Sequence, residues 1–513
     1  MPIIQEISDD EDDNRSSKTS LSDEQKASAA LDRCLHILND ESSSLESRYR
    51  QILEAIPPLE HYSTTTTTTT SLAAFESRLV QLLHPHPQLH PQQTFGFDDT
   101  EAPDSSSPAL PLYHTLSSKL LSLLKNPAPT PSVAAALASL TSTADPWTTP
   151  HTAAQAQQLL ASPALHDRTI LLNGLLRDLL RPLFTQRTTS AARVTSSGRL
   201  ALRETTDKRI NTETPAWVVH LPSSVAILEW TIGALAPSDI EAAWGLLIPP
   251  VLTLLDSTMS SVKTRAVGMI TLLLQRLEED ECTRSLLQRT GLAPVFWDAV
   301  LPCLSYLPPL TPASEAVPLL RAAYACLLAL ARVRERKDSK KKAKLLDALV
   351  REGFLRGLSF AGENVLVVLV LVEALATVVD EMGVWTVRHL QNVLPALTEI
   401  LASPFGDTFP PLLLAATKTL QTLVRNCWVR FEAYVPELLR GVAVCWKRIN
   451  QSESTEKPQL EQVEKELVNL VDMCRVVTVN VQGGKERWDC LRQGIVGVDQ
   501  GFAMLFARED SGL

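Results

Sequence analysis

The chain has 513 residues, of which 45% are hydrophobic and only 5% aromatic, and its formal net charge is −10. Leu, Ala and Val dominate the apolar content, and Leu and Ala are strong helix formers that suit a core of stacked helices. The acidic balance argues against a general nucleic-acid binder, because such proteins usually carry a basic surplus that neutralises phosphates.

The cysteines and the apolar runs predict a soluble protein of the cytoplasm and nucleus. The eight cysteines are scattered and none has C-x-x-C spacing, which is typical of reduced, buried thiols. The N-terminal sequence MPIIQEISDDEDD is acidic and lacks the apolar core of a signal peptide. The longest apolar run, residues 365–372, is far shorter than the roughly 18 residues that span a bilayer.

The N-terminal part is predicted to consist of helices separated by polar spacers. Residues 1–20 are predicted to form a disordered acidic tail, because they hold five consecutive carboxylates at positions 9–13. Helices are expected within 21–125, at 23–39, 41–55, 72–83 and 112–124. Residues 126–150 are rich in Ala, Pro, Ser and Thr and are predicted to be a linker. Residues 151–510 are then predicted to form a region of HEAT-like helical repeats.

The repeat is visible in four segments that share the pattern aliphatic–Pro–x–aliphatic, at 248–251, 301–304, 394–397 and 435–438. Their prolines are Pro249, Pro302, Pro395 and Pro436, with steps of 53, 93 and 41 residues. The middle step equals two repeats, and the missing proline-free unit is expected around 345–358. A period in the forties predicts an all-α, HEAT/armadillo-like α-solenoid of antiparallel helix pairs.

The clearest pair spans 244–277 and is predicted to be two amphipathic helices joined by a short polar turn. Pro249 and Pro250 lie inside the first helix, where a proline removes a backbone hydrogen bond and bends the rod. Such a bend would let an outer helix wrap around its straighter partner. We expect Leu252 and Leu255 to face the core. For any single proline, the alternative to a repeat position is an ordinary kink or a place in the first turn of a helix.

Sequence motifs for catalysis are absent. The chain has no phosphate-binding glycine loop, no H-E-x-x-H, no EF-hand loop, no G-x-S-x-G and no kinase signature. We therefore expect no enzyme activity and no cofactor. The histidines at 84, 86 and 90 are interleaved with prolines, which favours a spacer over a metal site.

Two charged segments each allow a functional and a plain interpretation. The basic run 332–344 could be a nuclear localisation signal or a patch for an acidic partner, and a solvated loop between helices is favoured. Ser8 precedes a run of acids that suits an acidophilic kinase, and an unmodified tail is the favoured alternative.

The tryptophans are open to two interpretations as well. Trp217, Trp230, Trp244 and Trp297 are expected to be core residues, and exposed members of the set would be binding anchors.

Landmarks between residues 183 and 310 resemble one family. They are VTSSGR (194–199), PAW (215–217), WTIGAL (230–235), WGLLIPPVLTLLD (244–256), VKTRAVGMITLLLQRL (262–277) and FWDAVLPCLSYLPPLTP (296–312). The strongest pieces are Trp244, the Pro-Pro motif that ends at Asp256, Lys263, and the block 306–311. Together these resemble the Tel-two-interacting protein two family, and Ser257 departs from it where a second acid is expected.

This resemblance implies a non-catalytic scaffold subunit of a heterotrimeric co-chaperone, the TTT complex. Its partners would be the Tel-two protein and a large HEAT-repeat Tti subunit, with residues 217–508 docking on the large subunit. The complex would help a heat-shock chaperone to mature phosphatidylinositol-3-kinase-related kinases, which serve telomere maintenance and DNA-damage signalling. No nucleic acid or membrane partner is implied.

Two other classes of protein compete with that interpretation. One is a karyopherin-like transport adaptor or another generic protein-binding solenoid, although a karyopherin would be longer and carry an acidic concave stripe. The other is an enzyme with an unrecognised site.

Overall fold

The computed structural model describes residues 23–40, 42–56, 69–89, 107–124, 127–185, 215–279, 283–335, 338–451 and 457–509. Within these residues helix is the only regular secondary structure, so the predicted all-α class is confirmed. The chain divides into two compact units, residues 1–234 and 235–513. The predicted acidic tail over 1–20 lies outside the described residues.

The first unit is a set of mostly short helices. Its α-helices are α1 (Asp23–Asn39), α2 (Leu45–Ala55), α3 (Thr69–Leu83), α4 (Ala109–Leu123), α5 (Pro131–Ala138), α6 (Pro150–Leu160), α7 (Arg181–Thr185), α8 (Ala216–His220) and α9 (Ser224–Ala234). A π-helix, Thr169–Leu180, runs directly into α7, and 3₁₀ turns occupy Pro87–Leu89 and Pro163–His166. The helices predicted before residue 125 are present as α1–α4, with their bounds shifted by a few residues.

The segment predicted to be a linker, residues 126–150, is folded in the structure. It contains α5, in which every residue from 133 to 138 is buried. Pro131 occupies the first turn, and the Thr130 hydroxyl accepts a hydrogen bond from the backbone N–H of Val133 at 3.3 Å. Threonine followed by proline is therefore a helix start here and not a loop signal.

Close backbone packing explains why small residues suffice around α5. Gly174 in the π-helix faces Pro131, and a Cβ at this glycine would lie only 2.4 Å from the proline Cγ. Trp147 fills the adjoining space with 1% of its surface exposed, and its indole N–H donates to the Ser139 carbonyl at 3.1 Å. The alanines and prolines that suggested a linker are thus the core of this part of the unit.

The second unit begins with longer helices. Its α-helices are α10 (Pro237–Leu255), α11 (Ser260–Glu279), α12 (Leu286–Arg289), α13 (Leu292–Val300), α14 (Ala313–Arg334), α15 (Ser339–Ala348), α16 (Arg356–Ala361), α17 (Val365–Met382), α18 (Leu390–Leu401), α19 (Pro410–Phe431), α20 (Val435–Gln451), α21 (Lys457–Val479) and α22 (Gly484–Val498). Between α15 and α16 the chain stays helical as a π-helix, Leu349–Leu355. Further 3₁₀ turns are Thr283–Ser285, Leu301–Ser305, Gly383–His389, Gly406–Thr408, Glu432–Tyr434 and Gln500–Glu509.

These helices form successive antiparallel hairpins. The pairs are α10 with α11, α13 with α14, the α15–α16 run with α17, α18 with α19, and α20 with α21. The second helices also pack on one another in the order α11, α14, α17, α19 and α21. This arrangement confirms the predicted α-solenoid, and the α15–α16 run supplies the proline-free repeat expected around 345–358.

Two helices, α10 and α14, are long and apolar enough to cross a membrane by length and composition. Each packs along the other helix of its own hairpin. Apolar helices in the core of a repeat array pass the same test, so this property alone does not indicate a membrane protein.

Candidate functional site

The α10–α11 hairpin shows what the strongest sequence motif does. Pro249 and Pro250 lie inside α10, as predicted, and deny the carbonyls of residues 245 and 246 their usual i+4 donors. Gly245 is exposed, so its carbonyl lies on the side of the helix that water reaches. Thr253 lies one turn further on and donates its hydroxyl to the Pro249 carbonyl at 2.8 Å. The paired prolines therefore remove two successive hydrogen bonds from the ladder of α10, with Pro249 exposed and Pro250 buried.

The predicted core face of α10 is correct at one position and wrong at another. Leu255 is 2% exposed and packs in the core. Leu252 is only half-buried, because Val251 and Leu254 are the neighbours that turn inward. Trp244 is half-buried as well, and its indole N–H is shielded from solvent with no hydrogen-bond acceptor in the described part of the chain.

Lys263 closes the turn between α10 and α11. Its Nζ donates a hydrogen bond to the carbonyl of Leu255 at 2.6 Å and lies 5.6 Å from the centre of the Tyr306 ring. The last carbonyls of a helix have no partner within it and carry the negative end of its dipole, so a lysine there stabilises the helix end. Asp256 is exposed at the C-cap of α10. These residues of the sequence motif are brought together here as a structural turn.

The four prolines of the repeat pattern lie in different secondary structures. Pro395 lies inside α18 as Pro249 lies inside α10, whereas Pro302 starts a 3₁₀ turn and Pro436 is the second residue of α20. A proline in the first turn of a helix removes no hydrogen bond within that helix, so Pro302 and Pro436 are not the interior prolines that the predicted bend requires.

What the four prolines have in common is exposure. Each one is exposed, while the aliphatic residue two positions after it, at 251, 304, 397 and 438, is buried. The pattern therefore marks the outward edge of each first helix, and the aliphatic residues attach that helix to its partner.

The tryptophans are mainly core residues. Trp217 and Trp297 are 3% and 5% exposed, and Trp217 stacks on Phe184 with ring centres 6.1 Å apart. Trp230 is half-buried beside His166, with ring centres 5.8 Å apart. The predicted core role is correct for the first two, whereas Trp230 and Trp244 are only partly covered.

A groove on the second helices is the best candidate for a protein-binding surface. It has a volume of about 460 Å³ and is lined by α11, α14 and α17. Small residues at Ala325, Ala329 and Ala374 make room for it, and the Arg321–Glu373 ion pair, 3.5 Å long, lies at its rim. Apolar grooves with a few charges at the edge suit a protruding side chain of a partner. Sequence reasoning missed this groove, although alanines spaced four apart in α14 were a usable signal.

Burial shifts the pKa of several ionisable groups in the part of the chain that the structure describes. Burial raises the pKa of the Cys326, Cys445 and Cys474 thiols to about 12, so these thiols stay protonated and unreactive. Burial also lowers the pKa of His84 to about 4. The described residues contain no group of three side chains placed to hold a metal ion, and His90 of the predicted histidine cluster lies outside them.

The two charged segments singled out in the sequence differ in what the structure describes. In the basic run 332–344, Arg332 and Lys342 both bind Glu381, at 2.7 and 2.9 Å, and the run connects α14 to α15. The favoured interpretation of a loop over the whole run is wrong, because residues 332–334 end α14 and residues 339–344 begin α15. Ser8 lies outside the described residues.

Comparison with known proteins adds an evolutionary relation to this geometry. The profile of the Tti2 family matches residues 133–408. The protein "TEL2-interacting protein 2" of Saccharomyces cerevisiae is 26% identical over 239 residues, covering 44% of this chain and 56% of that protein. The matched region thus spans about half the length of this curated relative.

Solved structures of karyopherin Kap121p overlap with the chain more loosely. The structure of Kap121p bound to Pho4p has a TM-score of 0.42 and 14% identity, covering 90% of this chain and 43% of that one. Kap121p bound to Ste12p gives a TM-score of 0.41 and 12% identity over 88% of this chain and 48% of that one. Similarity at this level carries no functional argument.

Proposed function

This chain belongs to the Tti2 family, and we propose that it is a non-catalytic subunit of a complex with a Tel2-type protein and a large HEAT-repeat Tti subunit. The observation that carries the proposal is the family match over 133–408, which includes the α10–α11 hairpin and the groove on α11, α14 and α17. The name of the yeast relative describes an interaction of that protein with TEL2.

The physical character of the chain supports a binding role. The second unit offers a row of parallel second helices, which is the kind of extended surface that helical arrays use to hold partner proteins. Its motif residues serve packing and helix capping, and its buried thiols have raised pKa values. The proposal therefore places the function in surface complementarity, with the groove as the first surface to test.

A finer role follows from the family. We propose that the complex works as a co-chaperone that supports the maturation and stability of phosphatidylinositol-3-kinase-related kinases in the cytoplasm and nucleus. Telomere maintenance and DNA-damage signalling would depend on it through those kinases. Depletion of the protein should therefore lower the steady-state level of several such kinases together, while their messenger RNA stays constant.

The direct test is affinity purification of the tagged full chain from native cells at mild salt, followed by mass spectrometry. We expect the Tel2-type protein and the large Tti subunit at near-stoichiometric levels, with kinases of that class at lower levels. A bait that is recovered alone would contradict the proposal. Recovery of nucleoporins and a small GTPase instead would favour a transport adaptor.

The groove can be tested in the same purification. Ala325→Arg and Ala329→Arg place long charged side chains in the groove from an exposed and a half-buried position on α14. We expect loss of one partner without loss of helical content. The matched control is Lys418→Ala with Arg440→Ala, which alters exposed positions outside the groove.

A further inference from the structure

A second cavity, of about 780 Å³, lies along the first helix of the third hairpin and is basic in character. Its lining includes the five cations Lys340, Lys341, Lys344, Arg351 and Arg388. We call it the basic cavity. It is separate from the groove on the second helices, and neither the family relation nor the proposed function assigns it a role.

The carboxylates that also line the basic cavity already have partners. Asp338 caps α15 by accepting from the backbone N–H of Lys341 at 3.0 Å. Glu352 binds Arg356 at 3.0 Å. Asp347 is buried and binds Arg388 and His389, both at 2.7 Å. The negative groups of the wall are therefore engaged within the protein.

Three of the cations are left for a ligand. Lys340, Lys344 and Arg351 are exposed and form no ion pair with any residue that the structure describes. They are spaced i, i+4 and i+11 along a continuous helical run, so they line one side of the cavity. An unpaired cluster of cations on one helix face raises the local concentration of anions.

Arg388, the fifth cation of the basic cavity, is held in place. Asp347 fixes the Arg388 guanidinium, which also lies 5.5 Å from the centre of the Trp385 ring. Trp385 is 37% exposed and adds an aromatic surface beside the charge. A cation positioned in this way loses little conformational freedom when it binds a carboxylate or phosphate.

We propose that the basic cavity binds an acidic segment of a partner protein, whose carboxylate or phosphoserine side chains pair with Lys340, Lys344 and Arg351. The length of the cationic row favours a peptide. Eleven residues of helix rise roughly 16 Å, which equals about five residues of an extended chain. A single phosphate would engage only one end of that row.

Nucleic acid fits the basic cavity less well than a peptide does. Asp338, Asp347 and Glu352 line the same wall, and a continuous phosphate backbone would meet these carboxylates as well as the cations. A peptide can present acids opposite the cations and uncharged residues opposite the carboxylates. The whole chain also carries a net charge of −10, which opposes non-specific association with polyanions.

The test measures binding of a fluorescent hexaglutamate peptide, and of the same peptide with one phosphoserine, to the full chain by anisotropy. The variant combines Lys340→Glu, Lys344→Glu and Arg351→Glu. The matched control combines Lys418→Glu, Arg440→Glu and Lys465→Glu, which makes the same charge change at exposed cations elsewhere in the unit. A milder variant carries Gln at the three cavity positions, and circular dichroism and melting confirm that all three variants are folded.

We expect the cavity Glu variant to weaken peptide binding by roughly tenfold or more, the Gln variant to weaken it less, and the control to change it by less than about twofold. Binding should also weaken as salt rises from about 0.05 to 0.3 M. Equal weakening by the cavity and control variants, or no binding to the wild-type chain, would overturn the proposal.

Three competition experiments separate the other sources of negative charge. Inorganic phosphate that displaces the peptide at equal concentration would show a site for a single anion. Phosphatidylserine vesicles or polyuridylate that bind through the three cations, when the peptides do not, would show a membrane or nucleic-acid surface. Each of these results would overturn the peptide proposal, and failure of all three to compete at equal charge concentration supports it.

Discussion

The two units of the chain fill their cores with different side chains. The second unit stacks long hairpins whose second helices lie in a row, and branched aliphatic residues such as Leu255, Leu394 and Leu438 fill its core. The first unit uses shorter helices, with buried alanines in α5 and a backbone approach at Gly174 that leaves no room for a Cβ. Side-chain substitutions should be tolerated at the outer edge of a regular repeat. At a close approach such as Gly174, a larger side chain should not be tolerated.

Both units hold polar groups at helix ends, on the surface and in the interior. In the second unit a lysine caps a helix end, and surface ion pairs such as Arg332–Glu381 join neighbouring hairpins. The second unit also buries a polar pair, Asp347 with His389, 2.7 Å apart. In the first unit the Trp147 indole donates to a carbonyl, and burial lowers the pKa of His84. The low pKa of His84 predicts that acid weakens the first unit, and Leu255 offers a test of a charge in the core of the second.

The largest effect is expected for Leu255→Asp in the second unit. An unpaired carboxylate placed at this buried position should destabilise the α10–α11 hairpin by about 5 kcal/mol. Thermal or urea unfolding measures the loss, and binding to the partner should fall with it. Leu252→Asp, at the half-buried neighbour, should cost about 1–2 kcal/mol. Equal effects at the two positions would show that the core face of α10 is assigned wrongly.

Acid should weaken the first unit through His84. Its pKa is about 4 in the folded chain against 6.5 for an ordinary histidine, so only the unfolded chain binds the proton between these values. Stability should therefore be unaffected above pH 6.5 and should fall by up to about 3 kcal/mol as the pH drops towards 4.

The variant His84→Gln isolates that effect. It should remove this part of the pH dependence, measured as the difference in unfolding free energy between pH 7 and pH 4.5. His36→Gln, at an exposed position of α1, is the matched histidine substitution to compare with it. A His84→Gln protein with the wild-type profile would mean that another group is responsible.

A pair of glycine substitutions sharpens the contrast in packing. Gly174→Ala places a Cβ against Pro131 and should destabilise the first unit by about 1–3 kcal/mol. Gly268→Ala lies on an exposed face of α11 with nothing within 4 Å, and should stabilise the second unit by about 0.5–1 kcal/mol. The same change should thus have opposite signs at these two positions, as urea denaturation would reveal. Two effects of the same sign would remove the distinction drawn between them.

The smallest effect is expected for Lys263→Met. This change keeps most of the side-chain volume but removes the donor to the Leu255 carbonyl, and it should cost about 1 kcal/mol. Partner binding should remain at the wild-type level once the protein is folded, because Lys263 acts as a cap. Lys418→Met is the exposed control. Strong loss of binding without loss of stability would make Lys263 part of an interface instead.

The array of hairpins was predictable because its pattern is local and repeated. Four of the five hairpins present an aliphatic residue, an exposed proline and a second aliphatic residue, and the spacing of Pro249, Pro302, Pro395 and Pro436 gives the period. The state of each proline was less predictable, since a helix interior and a first turn share the same sequence pattern. Only packing decides that Pro302 and Pro436 begin their helical elements.

The linker prediction is wrong because the composition of a segment can conflict with its helix-capping signals. The basic cavity was missed because it depends on contacts between residues distant in sequence. Residues 126–150 have the composition of a linker, yet Thr130 followed by Pro131 and Thr149 followed by Pro150 are helix starts. The basic cavity is a different case, because Arg388 is distant in sequence from Lys340 and reaches the cavity through its ion pair with buried Asp347. No local pattern contains that information.

The central claim is that this helical chain functions by holding partner proteins. The most direct measurement is co-expression of the full chain with the Tel2-type protein and the large Tti subunit from the same organism, followed by light scattering on a sizing column. We predict one complex that contains each protein once and that loses this chain when Leu255→Asp is introduced. A soluble, folded chain that elutes by itself in the presence of both partners would contradict the account.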